Sequence, residues 1–196
     1  AHWREVARRQ NAGNWFVAAQ FDGFFWFPRM MFGIEPHFYA FYDHPELMKE
    51  MNEDLAQWNL AAVEALSEHI VPDLVVFSED MSYNHGPMLS KDLFDEFLAP
   101  YYRRIIPELK KRGIVVLIDS DGDIRDPAAW FKEAGADGLL PLEHQAGVDL
   151  PQLRREHPQM RFMGGFDKMT MNRGEAAMRA EFERLLPVAA QGGFIL

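Results

Sequence analysis

The segment IVVLIDSDGD at residues 114–123 is the most direct indication of the fold, because five apolar residues run straight into a cluster of carboxylates. Similar runs end in acids as LVVFSED at 74–80, GLLPLE at 138–143 and RFMGGFD at 161–167. Continuous apolar runs are typical of strands buried on both faces, as in a parallel sheet covered by helices. Parallel α/β folds place their functional residues at the carboxyl ends of such strands. The pattern therefore predicts a parallel α/β enzyme.

Helix signals separate these runs, so strands and helices alternate along the chain, which implies parallel strands with right-handed crossovers. The first strand is not followed by a glycine-rich phosphate loop, and its absence favours an incomplete (β/α)8 barrel of TIM type over an open doubly wound sheet. We expect one partial barrel domain over residues 1–196, with Pro100 and Pro107 kinking or splitting its second helix. The predicted strands are 15–21, 74–79, 114–119, 138–142, 161–166 and 193–196, and the main predicted helices are 44–69, 91–112, 126–135, 150–156 and 173–190.

Composition narrows the class of function. The 196 residues are 48% hydrophobic, which is enough for the core of one domain. A net charge of −10 argues against a nucleic-acid partner, and no apolar stretch approaches the ~20 residues that a membrane span needs. The absence of cysteine excludes disulfides, thiolate zinc sites and cysteine nucleophiles, and a cytoplasmic location fits. Because the chain starts at Ala1 and stops at Leu196 inside a predicted strand, we expect a fragment of a longer protein.

The densest charge follows the strand at 114–119. Asp119 and Asp121 are two residues apart at a strand end and can converge on a cation or a polar substrate, with Gly122 allowing a sharp turn. A calcium loop is disfavoured, because Trp130 stands where that loop needs its distal glutamate. The alternative is structural: Asp123 and Asp126 cap the next helix while Asp119 accepts hydrogen bonds from loop amides.

If the sheet closes, Glu79, Asp119, Glu143 and Asp167 would surround one mouth of the barrel. Carboxylates held close together repel each other, which raises some of their pKa values or recruits a cation or a basic ligand. Oxygen ligands alone would suit magnesium, manganese or calcium, so a divalent metal is one hypothesis, with Asp119, Asp121 and Glu143 as its ligands. Because Glu79 and Asp80 are adjacent, their side chains face opposite ways in a strand, and a salt bridge is the alternative role for that pair.

The apolar stretch FFWFPRMMFG at residues 24–33 contains one cation, Arg29. Directly after a strand, such a stretch could line a pocket in which Arg29 binds a carboxylate. The alternatives are a buried helix and a subunit interface. His144 and Lys168 follow two of the strand-end acids and add polar groups to the predicted mouth.

The order and spacing of short motifs along nearly the whole chain resemble the uroporphyrinogen decarboxylase family. The matching motifs are GIE at 33–35, DHPE at 43–46, FSED at 77–80, GPMLS at 86–90, FLAPY at 97–101, DSDG at 119–122, EAGAD at 133–137, GGFD at 164–167 and GGFI at 192–195. The resemblance implies a (β/α)8 barrel of which this chain covers roughly strands three to eight.

The resemblance also implies an enzyme, either a decarboxylase that needs no cofactor or a methyltransferase that works with a corrinoid protein. A decarboxylase would act on a small or tetrapyrrole-like substrate, and the family suggests a homodimer. The residues that we assign to catalysis are Asp119, Asp121, Glu79 and Asp167. Those that we assign to substrate binding are Arg29, Asp80, Glu143, His144 and Lys168.

The chain departs from the family at positions that carry chemistry. Arg29 stands where the decarboxylase has a pocket tyrosine, and Glu79 stands where it has a serine. Asp119 and Asp121 stand where the methyltransferases have a zinc-binding His-x-Cys. The extra acids disfavour a porphyrinogen with many carboxylates, and the missing cysteine disfavours zinc-thiolate methyl transfer. We therefore expect a divergent member with an unassigned substrate, and a non-catalytic binding or assembly module remains a third alternative.

Overall fold

The computed structural model describes residues 2–196 and divides into two compact units. The first unit contains the residues up to Glu79 together with 92–116, and the second contains 80–91 and 117–196. The helices are α1 (His2–Asn11), α2 (Trp26–Phe32), α3 (Ile34–Asp43), α4 (Pro45–Ser67), α5 (Lys91–Phe97), α6 (Ala99–Lys111), α7 (Arg125–Glu133), α8 (Leu150–Glu156) and α9 (Glu175–Ala189). The strands are β1 (Ala18–Asp22), β2 (Leu74–Ser78), β3 (Ser82–Tyr83), β4 (Gly86–Pro87), β5 (Val115–Asp119), β6 (Gly138–Leu140), β7 (Arg161–Met163) and β8 (Phe194–Ile195).

In the first unit, β1 and β2 are parallel neighbours, paired from Ala18 with Leu74 to Asp22 with Ser78. The apolar run of β2 is almost wholly buried, as expected for a strand covered on both faces. Helix α4 buries residues at three- and four-residue intervals, which is one face of an amphipathic helix. That helix contacts α6, and the two bury Leu55, Val63, Ile105 and Leu109 among other residues.

The second helix is split, as the two prolines predicted. Helix α5 ends at Phe97 and α6 begins at Ala99, so that Pro100 lies in the first turn of α6, where its missing N–H has no helical partner to lose. Pro107 lies inside α6 and does not end it.

In the second unit, β5, β6, β7 and β8 are parallel neighbours in that order. A short antiparallel hairpin formed by β3 and β4 was not predicted. Arg154 of α8 is buried and donates to the carbonyl oxygens of Met160 at 2.6 Å, Gly192 at 3.1 Å and Gly193 at 3.0 Å. Its side chain therefore ties α8 to the segment that leads into β8.

The predicted α/β class is confirmed, since parallel strands alternate with helices in both units. This arrangement is consistent with part of a (β/α)8 barrel, whereas the assignment to strands three to eight and the single domain over 1–196 stay predictions. Helix α2 lies within the run over 24–33, for which a helix was one of the alternative interpretations, whereas α3 was not predicted. None of the helices in residues 2–196 combines the length and the apolar character that a membrane span requires.

Candidate active site

The strand ends of the second unit bring several predicted site residues near one another. Strand β5 ends at Asp119, and the main chain then turns at Gly122, whose φ is +81°. A Cβ at Gly122 would lie 2.5 Å from the Cα atom of Tyr83, so only glycine allows this close approach. The tight turn leaves the Gly122 N–H directed at Glu143, the acid that follows β6.

Glu143 is the most connected acid of this group. Its Oε1 accepts from the Nζ of Lys168 at 2.5 Å and from the Nε2 of Gln145 at 2.6 Å, while its Oε2 accepts from the Gly122 N–H at 3.0 Å. Burial by itself would raise the pKa of Glu143, but the bonds from Lys168 and Gly122 outweigh that effect, and the pKa lies below its ordinary value. Glu143 is therefore a carboxylate at neutral pH, held by an ammonium group whose side chain is 59% exposed.

Asp121 shows the opposite behaviour. Although its side chain is exposed, the surrounding protein atoms remove part of its hydration, and this burial raises its pKa. The negative charges of Glu143 and Asp80 add to the effect, and the positive charge of Lys168 partly offsets it. The group thus contains one acid that holds its proton more tightly than usual beside one that releases its proton more easily.

Asp167 has structural partners in this site. Its Oδ1 accepts from the Met169 N–H at 2.9 Å, which caps the 3-10 turn over 168–173, and its own N–H donates to Oε1 of Glu181 at 2.7 Å. Arg184 donates to both carboxylate oxygens of Glu181, so the hydrogen bonds of Arg184 come first among the causes that lower the pKa of Glu181. His144 is half-buried, with its Nδ1 3.3 Å from the Val148 carbonyl oxygen.

The main chain brings Asp80 to the same strand end, because the Asp80 N–H donates to the Asp119 carbonyl oxygen at 3.2 Å. Ser120, which is buried, supports this contact by accepting from the Met81 N–H at 3.1 Å. Asp80 has a φ of +42°, a conformation that is uncommon outside glycine and that turns the chain after β2.

Glu79 does not lie at an open mouth, contrary to the predicted arrangement. It is 0% exposed within the first unit, where its Oε1 accepts from the Phe24 N–H at 2.9 Å and its Oε2 from the N–H groups of Phe25 at 2.7 Å and Trp26 at 3.1 Å. The Tyr102 hydroxyl donates to Oε1 as well. The physical reason for the difference is that the turn leading into α2 and the first residue of α2 supply N–H donors with no partner inside the helix. A catalytic role for Glu79 stays a prediction.

Arg29 also belongs to the first unit, where it lies in α2 with its guanidinium carbon 4.4 Å from the centre of the Trp26 ring. Its charge acts on His37, which is fully buried among Phe25, Phe38 and Phe41. Burial, and to a smaller extent Arg29, lowers the pKa of His37 to about 4. The run over 24–33 thus contains a helix, but Pro28 is the one buried residue of α2 while Met30 and Met31 are exposed, so it is not the buried helix of the alternative interpretation. Binding of a substrate carboxylate by Arg29 stays a prediction.

The structure does not gather the residues proposed for a metal. Within residues 2–196, no three His, Asp or Glu side chains are placed to hold an ion, so Asp119, Asp121 and Glu143 do not form a ligand set. A cleft of about 480 Å³ in the second unit lies elsewhere, along His85, Asp123, Arg125 and Glu156 among other residues. Asp123 pairs there with Arg125 at 2.6 Å, and its carboxylate also accepts the Arg125 N–H, whereas the N-cap position of α7 is Ile124 and has no side-chain cap.

Sequence reasoning missed Tyr102, Ser120 and Arg184. Tyr102 had no signal beyond its place on the apolar face of a predicted helix, where an aromatic residue is normally interpreted as core. Arg184 lies three residues after Glu181 in α9, and an acid and a base at that spacing indicate an ion pair on a helix.

Parallel strands that alternate with helices and have a Glu–Lys pair at their carboxyl ends define an α/β protein with polar groups where this class places its functional sites. The family model for uroporphyrinogen decarboxylase (URO-D) matches residues 17–196, which is most of the chain. The protein therefore belongs to the uroporphyrinogen decarboxylase family, as the motifs predicted, and to its superfamily of decarboxylase-like and methyltransferase-like proteins. No curated protein matches the sequence.

Proposed function

We propose that the protein catalyses decarboxylation of a small or tetrapyrrole-like carboxylic acid, with its chemistry at the strand ends of the second unit. The observation that carries this proposal is that Asp121, whose pKa is raised, lies within the electrostatic influence of the Glu143–Lys168 ion pair. Cofactor-free decarboxylation needs a cation that holds a carboxylate and an acid that protonates the carbon left behind.

The proposal assigns the cation to Lys168. The ammonium group is exposed and bound to Glu143 at 2.5 Å, so a substrate carboxylate can approach it and share it with Glu143. His144 and Asp80 border the same strand ends and would orient polar groups of the substrate. Arg29 of the first unit is proposed, separately from this site, as a residue that binds a carboxylate.

The proposal assigns proton donation to Asp121. The bond between the substrate carbon and its carboxylate breaks, carbon dioxide leaves, and the electron pair stays on the carbon. That carbon takes the proton of the Asp121 carboxyl, which then regains a proton from water. A carboxyl with a raised pKa suits this role because more of it is protonated near neutral pH. Asp119 and Asp167 are proposed to contribute to the field around the reacting carbon.

The test is release of labelled carbon dioxide from a panel of small carboxylic acids and from uroporphyrinogen. Asp121→Asn should lower turnover at least about 100-fold, since general acid catalysis contributes that much or more. Asp126→Asn, which changes an exposed acid at the start of α7, is the matched control and should leave turnover unchanged.

Equal turnover by Asp121→Asn and the natural sequence would contradict the assignment of Asp121. Transfer of a methyl group to or from a corrinoid protein, with no carbon dioxide released, would favour the methyltransferase alternative. Absence of both activities would favour a binding module. The homodimer and the corrinoid-protein partner stay predictions.

A further inference from the structure

The turn from Gly23 to Trp26 in the first unit is built around a buried acid. The Gly23 N–H donates to the Ser78 carbonyl oxygen at 2.7 Å, and the next three N–H groups all donate to Glu79. A Cβ at Gly23 would lie 2.2 Å from the Glu79 Cδ atom, so the turn leaves space for the carboxylate only because residue 23 is glycine. From the side of α4, the buried Asn52 donates to the Phe24 carbonyl oxygen at 3.0 Å.

Each oxygen of Glu79 accepts two hydrogen bonds when the side chain is charged. Oε1 accepts from Phe24 and Tyr102, and Oε2 accepts from Phe25 and Trp26. A carboxylate has about four acceptor positions, so this set of donors satisfies the charged form completely. A proton added to Glu79 would need an acceptor, and a main-chain N–H cannot supply one.

Tyr102 is the partner that can fill that need, because a hydroxyl group both donates and accepts. Burial and the charge of Glu79 raise the pKa of Tyr102 well above its ordinary value, so the tyrosine keeps its own proton. When Glu79 is protonated, the hydroxyl can rotate about its C–O bond and accept from the acid, so that the bond donated by Tyr102 is exchanged for one that it accepts, while the three N–H groups remain in place.

We propose that Glu79 and Tyr102 form a proton-sharing clamp, in which the tyrosine donates to the charged acid and accepts from the neutral one, so that the turn Gly23–Trp26 keeps its structure in both states. Both states are within reach near neutral pH, because burial raises the pKa of Glu79 to about 7 against the opposing effect of its four donors. The groups of the first unit that act on Glu79 are Tyr102 of α6 and the main chain of the turn, and α4 faces that turn with the neutral Asn52.

The clamp makes Glu79 a positioning residue. The turn leads into α2, and Arg29 of that helix packs over the ring of Trp26, whose N–H is one of the clamped groups. Fixing the turn therefore fixes the helix that carries Arg29. Only this last step rests on the proposed function, since substrate binding by Arg29 is part of that proposal.

The test needs no substrate. In the natural sequence, carbon-13 NMR of the glutamate carboxyl groups should show Glu79 titrating near pH 7. Hydrogen exchange of the Phe24, Phe25 and Trp26 amides, expressed as protection relative to the core amides of β2, should stay constant within about threefold from pH 5.5 to 8.5, because a change in global stability affects both sets alike. Titration of Glu79 near its ordinary pKa, or relative protection of the turn that falls when Glu79 takes up its proton, would overturn the clamp.

Two variants separate the parts of the clamp. In Tyr102→Phe, the neutral acid has no acceptor, so protection of the turn should fall at least about tenfold below the Glu79 midpoint and recover above it, and the midpoint should rise. In Glu79→Gln, the amide offers one acceptor oxygen to three N–H groups, so protection should fall at every pH. Tyr101→Phe, whose hydroxyl donates to the Lys49 carbonyl oxygen, is the control and should resemble the natural sequence.

Constant protection in Tyr102→Phe across the whole pH range would refute the proton-sharing role. If that variant does not fold, the titration and exchange of the natural sequence decide the matter alone. The two proposals can fail separately. If the clamp is refuted but turnover still depends on Asp121, the proposed function stands. If the clamp is confirmed but no carbon dioxide is released, the clamp stands and the proposed function fails.

Discussion

Glu79 and Glu143 follow strands of the same kind, yet their surroundings give them opposite properties. Glu79 follows β2, is completely buried, and bonds main-chain N–H groups and a tyrosine. Glu143 follows β6, has a side chain that is 15% exposed, and bonds an exposed lysine. The pKa of Glu79 is raised and that of Glu143 is lowered. The same sequence pattern, an acid after an apolar strand, can therefore give either a buried structural acid or a candidate active-site acid.

The difference follows from which partner is available. Without a positive charge, burial dominates and the carboxylate is costly, so neutral donors only moderate the penalty. With an ammonium group within 2.5 Å, the charged form is favoured despite partial burial. The position of a nearby lysine, rather than the strand itself, decides between the two outcomes.

The largest change in the free energy of unfolding is expected from a substitution of Gly23, the glycine beside Glu79. Gly23→Ala would place a methyl group 2.2 Å from the Glu79 Cδ atom, and we expect a loss of about 3 kcal/mol or more in the free energy of unfolding, measured by urea denaturation. Gly13→Ala is the control: its φ is +70° and its Cβ would meet no atom within 4 Å, so only the backbone cost of roughly 1–2 kcal/mol applies. Equal losses would show that the Glu79 cradle is not tightly packed.

The pH dependence of stability should distinguish the two kinds of acid. The folded state binds the Glu79 proton more tightly than the unfolded state, so stability present below pH 4.5 is lost as pH rises through about 7. The change is roughly 3 kcal/mol, at about 1.4 kcal/mol for each pKa unit, and it should vanish in Glu79→Gln.

The matched variant is Glu181→Gln, which changes a buried acid held by Arg184. The pKa of Glu181 is lowered, so its contribution is present above its ordinary value and is lost as pH falls through the lowered one. Denaturation across a pH series should therefore show the two variants departing from the natural sequence with opposite slopes. Parallel slopes would contradict the assignment of either environment.

Tyr102→Phe is expected to cost about 2 kcal/mol, measured near pH 8, because it removes a hydrogen bond to a buried charged group. The neighbouring Tyr101→Phe removes a bond to a main-chain carbonyl and should cost about 1 kcal/mol. Thermal or urea denaturation of the two variants provides the comparison. A smaller loss at Tyr102 than at Tyr101 would mean that the Tyr102 bond adds little to the Glu79 site.

Lys168→Met should have the smallest effect on stability, because the lysine is largely exposed. The pKa of Glu143 should nevertheless rise, since the lysine is the main group that lowers it, and carboxyl NMR can measure this. Under the proposed function, binding of a carboxylate substrate should weaken markedly. Arg173→Met, which changes an exposed cation in the same 3-10 turn, should leave the Glu143 titration unchanged.

The sequence was sufficient where a signal is local. Apolar runs predicted the strands of the parallel pairs but not the β3–β4 hairpin, and helix α8 has the predicted bounds, Leu150–Glu156. The burial of Glu79 could not be predicted, because its donors lie 53 to 55 residues before it and 23 residues after it. The Glu143–Lys168 pair spans 25 residues, and only the meeting of two strand ends brings its members together. Hydrogen-bond partners so far apart in sequence are brought together by the fold. The sequence therefore identified the acids but not the groups that surround them.

The hydrogen bonds of Arg154 should make one part of the second unit resistant to acid. Its guanidinium group bonds the carbonyl oxygens of residues 160, 192 and 193, none of which can take up a proton in the range where proteins titrate. Acidification removes the negative charge of Glu143 and so releases Lys168, but it leaves the Arg154 bonds unchanged. The second unit should therefore loosen first at its strand-end acids and last where α8 holds the start of β8, so that an acid-treated protein keeps its final strand after its candidate site has opened.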